Sequence, residues 1–190
     1  MEDEIIIRAA KVEDAAQILK IYAYYVEHTA ISFEWEVPTL ENFVERIKKI
    51  SAKYPYLVAE RDGKIIGYTY AHKFVDRAAY NWCVELTIYL DKDERRRGVG
   101  RKLYTALEEI LRGMGILNLY ALIGWVDVDD EFLNKNSAKF HEHLGFKIVG
   151  RFKNCGAKFG RWYDMIVMEK IIGSHIDNPP AVKFLKGCLI

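Results

Sequence analysis

Apolar residues recur along this chain with periods that change at identifiable points. Ile5-Ile6-Ile7 reads as a short buried strand, and Ala15, Ile18, Leu19, Tyr22 and Val26 then form a helical stripe from Val12 to about His28. Thr39, with Asn42 behind it, caps a second helix that runs to about Ala52. Tyr56 to Glu60 and Ile65 to His72 read as two strands joined through Asp62-Gly63, which has hairpin turn chemistry. Trp82 to Leu90 is a further strand and Val99 to Gly113 an amphipathic helix. Asn118 to Ile123 is strand-like, and Asn134 to Leu144 is a short helix stopped by Gly145. Phe146–Phe152 and Trp162–Lys170 close the pattern, giving the order β-α-α-β-β-β-α-β-α-β-β.

Beyond Gly173 the period is lost. Ser174–Ile190 contains Pro179-Pro180 and reads as a tail: a flexible segment, a partner-binding arm, or a cloning remnant of the kind that Gly-Ser-His resembles. The expected division is one domain over 1–173 and a tail over 174–190, since 190 residues suffice for a single core without disulfide or metal.

Charge narrows the function. Lys+Arg total 28 against 27 for Asp+Glu, which argues against a general nucleic-acid coat but leaves room for a local basic pocket. Cys83, Cys155 and Cys188 form no CxxC pair, so neither a disulfide framework nor a cysteine zinc site is expected, and a cytoplasmic location is. The acidic N-terminus is unlike a signal peptide, no apolar run approaches membrane-spanning length, and Cys188 lies one place too late for prenylation.

The chemistry concentrates in Glu94-Arg-Arg-Arg-Gly-Val-Gly-Arg-Lys, between a strand and a helix, where backbone N–H groups and the helix dipole favour an anion. Gly98 and Gly100 open the main chain, while Arg95, Arg96, Arg97 and Arg101 add positive charge. A solvated basic turn is the plain alternative. The spacing is neither a Walker loop nor a dinucleotide fingerprint. On the preceding strand, Glu85 is a lone carboxylate on the side shared with Cys83, Thr87 and Tyr89. It is either a functional base, an edge residue facing solvent, or half of a buried ion pair.

Arg95-x-x-Gly98-x-Gly100 resembles the acetyl-CoA pyrophosphate motif of the GNAT-superfamily N-acetyltransferases. Tyr80-Asn-Trp-Cys-Val-Glu85-Leu-Thr-Ile-Tyr89-Leu, Asn134-x-x-Ser137-x-x-x-His141-Glu142-x-x-Gly145-Phe146 and Lys158-Phe-Gly-Arg-Trp162-Tyr-Asp164 are similar to segments of its phosphinothricin and amino-acid N-acetyltransferase branch. Phe33 and Glu36 match that branch's early loop, with Trp35 a departure. The resemblance implies an α/β (α+β) GNAT fold: a mixed, mostly antiparallel twisted sheet, helices on both faces, and a splayed central strand pair that binds acetyl-CoA. It implies Glu85 as general base and His141 as a candidate acid for the departing thiolate. For the cofactor it implies main-chain groups of Ile88, Tyr89 and Leu90, the loop Arg95, Arg96, Arg97, Gly98, Val99, Gly100 and Arg101, and Asn134, Ser137 and His143. Phe33, Glu36, Val75, Asp76, Arg77 and Glu85 would meet a small amino acid or analogue, with Arg77 holding its carboxylate. A homodimer is expected, its contact near the segment Phe159–Tyr163, which would otherwise be an exposed edge.

Three functional classes follow: an amino-acid N-acetyltransferase, a protein N-terminal or polyamine acetyltransferase, and a silent acyl-CoA-binding module. Retention of Glu85 favours an enzyme. The insertion Trp125–Asn136, with Asp127, Asp129, Asp130 and Glu131, lacks the glycine and final glutamate of a calcium loop and is expected to be solvated, with no metal.

Overall fold

The computed structural model describes residues 4–94 and 97–186. A seven-stranded sheet runs in the order β1-β2-β3-β4-β5-β7-β6. Its strands are β1 Ile6–Ala9, β2 Tyr56–Arg61, β3 Lys64–Lys73, β4 Cys83–Leu90, β5 Asn118–Trp125, β6 Lys147–Lys158 and β7 Arg161–Ile171. The helices are α1 Ala15–His28, α2 Leu40–Ser51, α3 Val99–Met114 and α4 Asn136–His143. The element order is the one the periodicity predicts, although α4 starts two residues later than expected.

Local chemistry explains the boundaries. The Thr39 hydroxyl accepts the Asn42 N–H at 3.2 Å and so starts α2. The β2–β3 turn places Asp62 and Gly63 at φ of 52° and 75°, the left-handed pair that matches strand twist.

Two apolar layers sandwich the sheet. On one face Leu103, Tyr104, Leu107 and Leu111 of α3 pack against Leu57, Ile66, Val84, Leu86, Leu119 and Ala121. On the other, Ile18, Tyr22 and Val26 of α1, with Phe43 and Ile47 of α2, cover Tyr56, Val58 and Tyr68. Every neighbouring pair of strands is antiparallel except β4–β5.

That one parallel pairing is short. It joins Cys83–Glu85 to Asn118–Tyr120 and then stops, so the strands part and the β5 side of Leu86–Leu90 has no ladder partner. The unzipped wedge is the feature that positions the site.

Two expectations change. β7 is an inner strand over Asp164–Ile171, but the β5 ladder ends at Asp164, so Trp162 and Tyr163 pair with β6 alone, and the outer strand of the sheet is β6. The 126–135 loop is not simply solvated. Asp127 holds Arg151 through two 2.8 Å bonds, Arg151 also pairs with Asp164, and Arg161 reaches Asp130 at 3.1 Å and Glu131 at 2.8 Å. Arg151 keeps the Asp127 carboxyl at about 2, far into the ionised range. The tail 174–186 lies against the body. Trp82 Nε1 donates to Pro180 O at 2.9 Å, Lys183 N–H donates to Met114 O at 2.8 Å, and Phe184 packs edge-on against Tyr54.

Candidate active site

Where β4 and β5 separate, a cavity of about 140 Å³ forms. Its wall includes Glu85, Thr87, Ile88 and Tyr89 of β4, Leu122 and Gly124 of β5, Tyr104 of α3, and Ser137 and His141 of α4. Five residues singled out in the sequence therefore converge: Glu85, Ile88, Tyr89, Ser137 and His141. Strand alternation sends the Glu85 side chain to the α1/α2 face, while Val84 and Leu86 anchor the strand in the core beneath α3.

His141 is 3% exposed, and its imidazole is fixed at both nitrogens. Nδ1 stands 2.8 Å from Ser137 O, and a carbonyl can only accept, so Nδ1 carries the proton. Nε2 is therefore the acceptor of the Tyr104 hydroxyl, 2.9 Å away. Burial pushes the imidazole down to about 4. A neutral ring without a proton on Nε2 has none to give a thiolate, so His141 does not present itself as an acid. Tyr104, whose own hydroxyl burial drives upward, stands on that wall with the hydroxyl side chains of Thr87, Tyr89 and Ser137. Sequence reading missed Tyr104 because a tyrosine on the inner stripe of α3 looks like core.

The α3 N-terminus supports the anion reading. Gly98 caps the helix at φ 78°, a left-handed conformation that favours glycine, and among the described residues the cap makes no side-chain hydrogen bond. The first helical bond runs from Lys102 N–H to Gly98 O, leaving the N–H groups before it directed off the helix end. Gly100 has a different reason. A Cβ there would stand 3.0 Å from two ring carbons of Phe140, so its absence lets α3 close on α4. Val99 is core, whereas Arg97 and Arg101 are exposed and Arg97 stands 3.8 Å from Glu94. Arg95 and Arg96 lie outside the described residues.

Other expected contacts sit elsewhere. The Leu90 carbonyl accepts the Tyr25 hydroxyl at 2.6 Å. Asn134 precedes α4, and its side chain accepts the Asn136 N–H at 3.0 Å. His143 is exposed, with Nδ1 on Lys139 O at 2.6 Å. Phe33, Glu36, Val75, Asp76 and Arg77 do not line the wedge cavity. Phe33 packs beside Tyr163 and over Gly156, where a Cβ would come within 2.3 Å of its ring. Glu36, Val75, Asp76 and Arg77 are exposed, and Asp76 pairs with Lys73 at 2.7 Å. The loop carrying Phe33 is held by Lys158, which is buried and donates to Thr29 O at 2.9 Å and Ser32 O at 2.7 Å.

A second cavity of about 490 Å³ lies between α2 and β2–β3, walled by Phe43, Tyr56, Tyr68, Tyr70 and His72 with Arg46, Lys49 and Lys53 around it. His72 joins the two cavities: its Nε2 lies 3.7 Å from Glu85 Oε1 across the β3–β4 pair. Among the described residues no group of three or more His, Cys, Asp or Glu is arranged to hold a metal.

A seven-stranded sheet split at one parallel pair, with a glycine-opened helix start beside the split, is the frame of the GNAT acetyltransferases. Residues 7–167 match the acetyltransferase (GNAT) domain family, and the chain belongs to it. It is 37% identical over 166 residues to the phosphinothricin N-acetyltransferase of Alcaligenes faecalis, covering 86% of this chain and 81% of the relative. It is 30% identical over 164 residues to the L-amino acid N-acyltransferase MnaT of Escherichia coli, covering 86% and 91%. The crystal structure of a phosphinothricin acetyltransferase from Sinorhizobium meliloti in complex with acetyl-CoA superposes with a TM-score of 0.81 at 32% identity, covering 89% of each chain.

Proposed function

We propose that this chain transfers the acetyl group of acetyl-CoA to the amino group of a small amino acid or analogue, with Glu85 as general base. The observation that carries this reading is the meeting of the Glu85 carboxylate with Leu86–Tyr89, beyond the end of the β5 ladder, in one cavity at the strand split. The acyl-pantetheine arm would take the place of the missing ladder partner, and the pyrophosphate would lie at the α3 start. That aligns the thioester carbon beside Glu85. An α-ammonium must lose a proton before its nitrogen can attack, and a carboxylate at that point is the group to take it.

Attack forms the C–N bond, the C–S bond breaks, and the thiolate leaves toward the wall that holds the Tyr104 hydroxyl. Ile88 and Tyr89 serve through their main chain and Ser137 through its place on the wall. Arg77 and the Phe33–Glu36 loop lie on the acceptor side. The outer edge of β6, with Ile148, Val149 and Phe152 each more than half exposed, is the surface for a second copy. A cytoplasmic enzyme of this kind needs no metal.

Release of free thiol from acetyl-CoA against a panel of amino acids, phosphinothricin and methionine sulfone tests the reading. Thiol release that depends on an α-amino acid supports it. Release only with polyamines or peptide N-termini, or with no amine at all, would overturn it.

A further inference from the structure

His72 has no part in the chemistry so far, yet its Nε2 stands 3.7 Å from Glu85 Oε1. Its ring is oriented by its own backbone: Nδ1 lies 2.9 Å from Lys73 O, and a carbonyl accepts, so Nδ1 is a donor. In the neutral ring Nε2 then holds a lone pair. That lone pair faces a carboxylate oxygen, and two acceptors do not attract. At 3.7 Å the two atoms stand at ion-pair distance, and a proton on Nε2 turns the contact from repulsive to attractive.

We propose that Glu85 and His72 act as a pair that accepts one proton from the acceptor amine, and that His72 passes it to solvent through the cavity under α2. This rests on the reading of Glu85 as base. In the step, the substrate N–H bond breaks as Glu85 takes the proton. Proton transfer to His72 Nε2 then leaves an imidazolium beside a restored carboxylate. Loss of a proton from the imidazolium to water in the second cavity returns both groups to their starting state.

The surroundings suit the role. His72 lines the larger cavity and Glu85 the smaller, so the pair bridges the reacting centre and an open exit. The groups around His72 are Glu85 on β4, Tyr70 and Lys73 on its own strand, Tyr56 on β2, and, on the same cavity, Arg46 and Lys49 of α2 with Lys53 just after it. The carboxylate raises the imidazole above its ordinary value even though burial opposes this. The lysines favour release of the proton once it has arrived.

The test is His72→Gln, with Glu85→Gln and the double variant alongside, over pH 5 to 9. His72→Gln is expected to lower kcat by roughly 10- to 100-fold near neutrality, part of a general-base contribution, while KM for acetyl-CoA stays put. The ascending limb of its pH–rate profile should move to lower pH, toward an ordinary carboxylate. Added imidazole should restore rate to His72→Gly. In the Glu85→Gln background, loss of His72 should cost nothing more. A His72→Gln enzyme with an unchanged kcat and profile would overturn the relay, as would a loss that is uniform across pH and indifferent to imidazole. If Glu85→Gln itself keeps the wild-type rate, it is the base assignment that falls.

Discussion

His141 shows how one side chain's surroundings decide its role. Its position on a helix facing the cofactor wedge suggests an acid, but desolvation keeps it neutral and the Ser137 carbonyl keeps the proton on the wrong nitrogen. This has a consequence for stability. The folded-state value, about 4, lies below the ordinary 6.5, so the unfolded chain binds a proton that the folded chain refuses. Stability contributed by this burial is present above pH 6.5 and is lost as pH falls toward 4. The shift corresponds to about 3 kcal/mol at about 1.4 kcal/mol per unit. His141→Gln should therefore show a shallower loss of unfolding free energy between pH 6.5 and 4 than the native chain in urea titrations. Tyr104→Phe, which removes the hydroxyl that donates to the neutral ring, should soften that acid slope only in part, because the desolvation remains.

At the scale of elements, the arrangement depends on where chains can approach. Gly98 tolerates a Cβ sterically, since nothing lies within 4 Å, but its φ of 78° does not. Gly98→Ala should cost about 1 kcal/mol of backbone strain and weaken acetyl-CoA binding. The check is the rise in Tm on adding acetyl-CoA, which should shrink; an undiminished rise would remove this loop from the cofactor site. Gly156→Ala acts at a distance from the wedge. It drives into the Phe33 ring, so it should destabilise by about 1–3 kcal/mol and raise the acceptor KM more than that of acetyl-CoA. Equal effects on both KM values would show that the Phe33 loop is packing alone.

The elements themselves were legible in the sequence because each carried a local signal: the Thr39 cap, the Asp62-Gly63 turn, the stripe of α3. Glu85 was legible as a carboxylate among apolar strand neighbours. What could not be read is what depends on register. His72 meets Glu85 because β3 and β4 pair with those residues opposite one another, and nothing local in either strand fixes that pairing. Tyr104 meets His141 through the packing of α3 on α4. The arginines that pin the acidic loop lie on strands more than twenty residues downstream of Asp127, so the loop looked solvated.

Across the whole molecule, the segment 174–186 is a strap over the lower end of the sheet. Val182 and Phe184 rest on the core, and Phe184 contacts Tyr54, which follows α2 and lines the second cavity. A half-buried phenylalanine contributes part of the roughly 3–5 kcal/mol of a fully buried one. Phe184→Ala should thus lower the unfolding free energy by about 1–2 kcal/mol while leaving kcat intact. An unchanged denaturation midpoint would mean that the tail merely rests there.

Acetyl transfer turns on proton removal by Glu85, and the direct measurement is the single-turnover rate of acetyl transfer in Glu85→Gln with acetyl-CoA binding followed in parallel. The amide keeps the shape of the side chain and cannot accept the proton. The rate should fall by about 10²–10⁴ with acetyl-CoA affinity retained, and the deficit should narrow as pH rises and the amine arrives already neutral. A variant that acetylates at nearly the wild-type rate at neutral pH, with chemistry limiting, would contradict it.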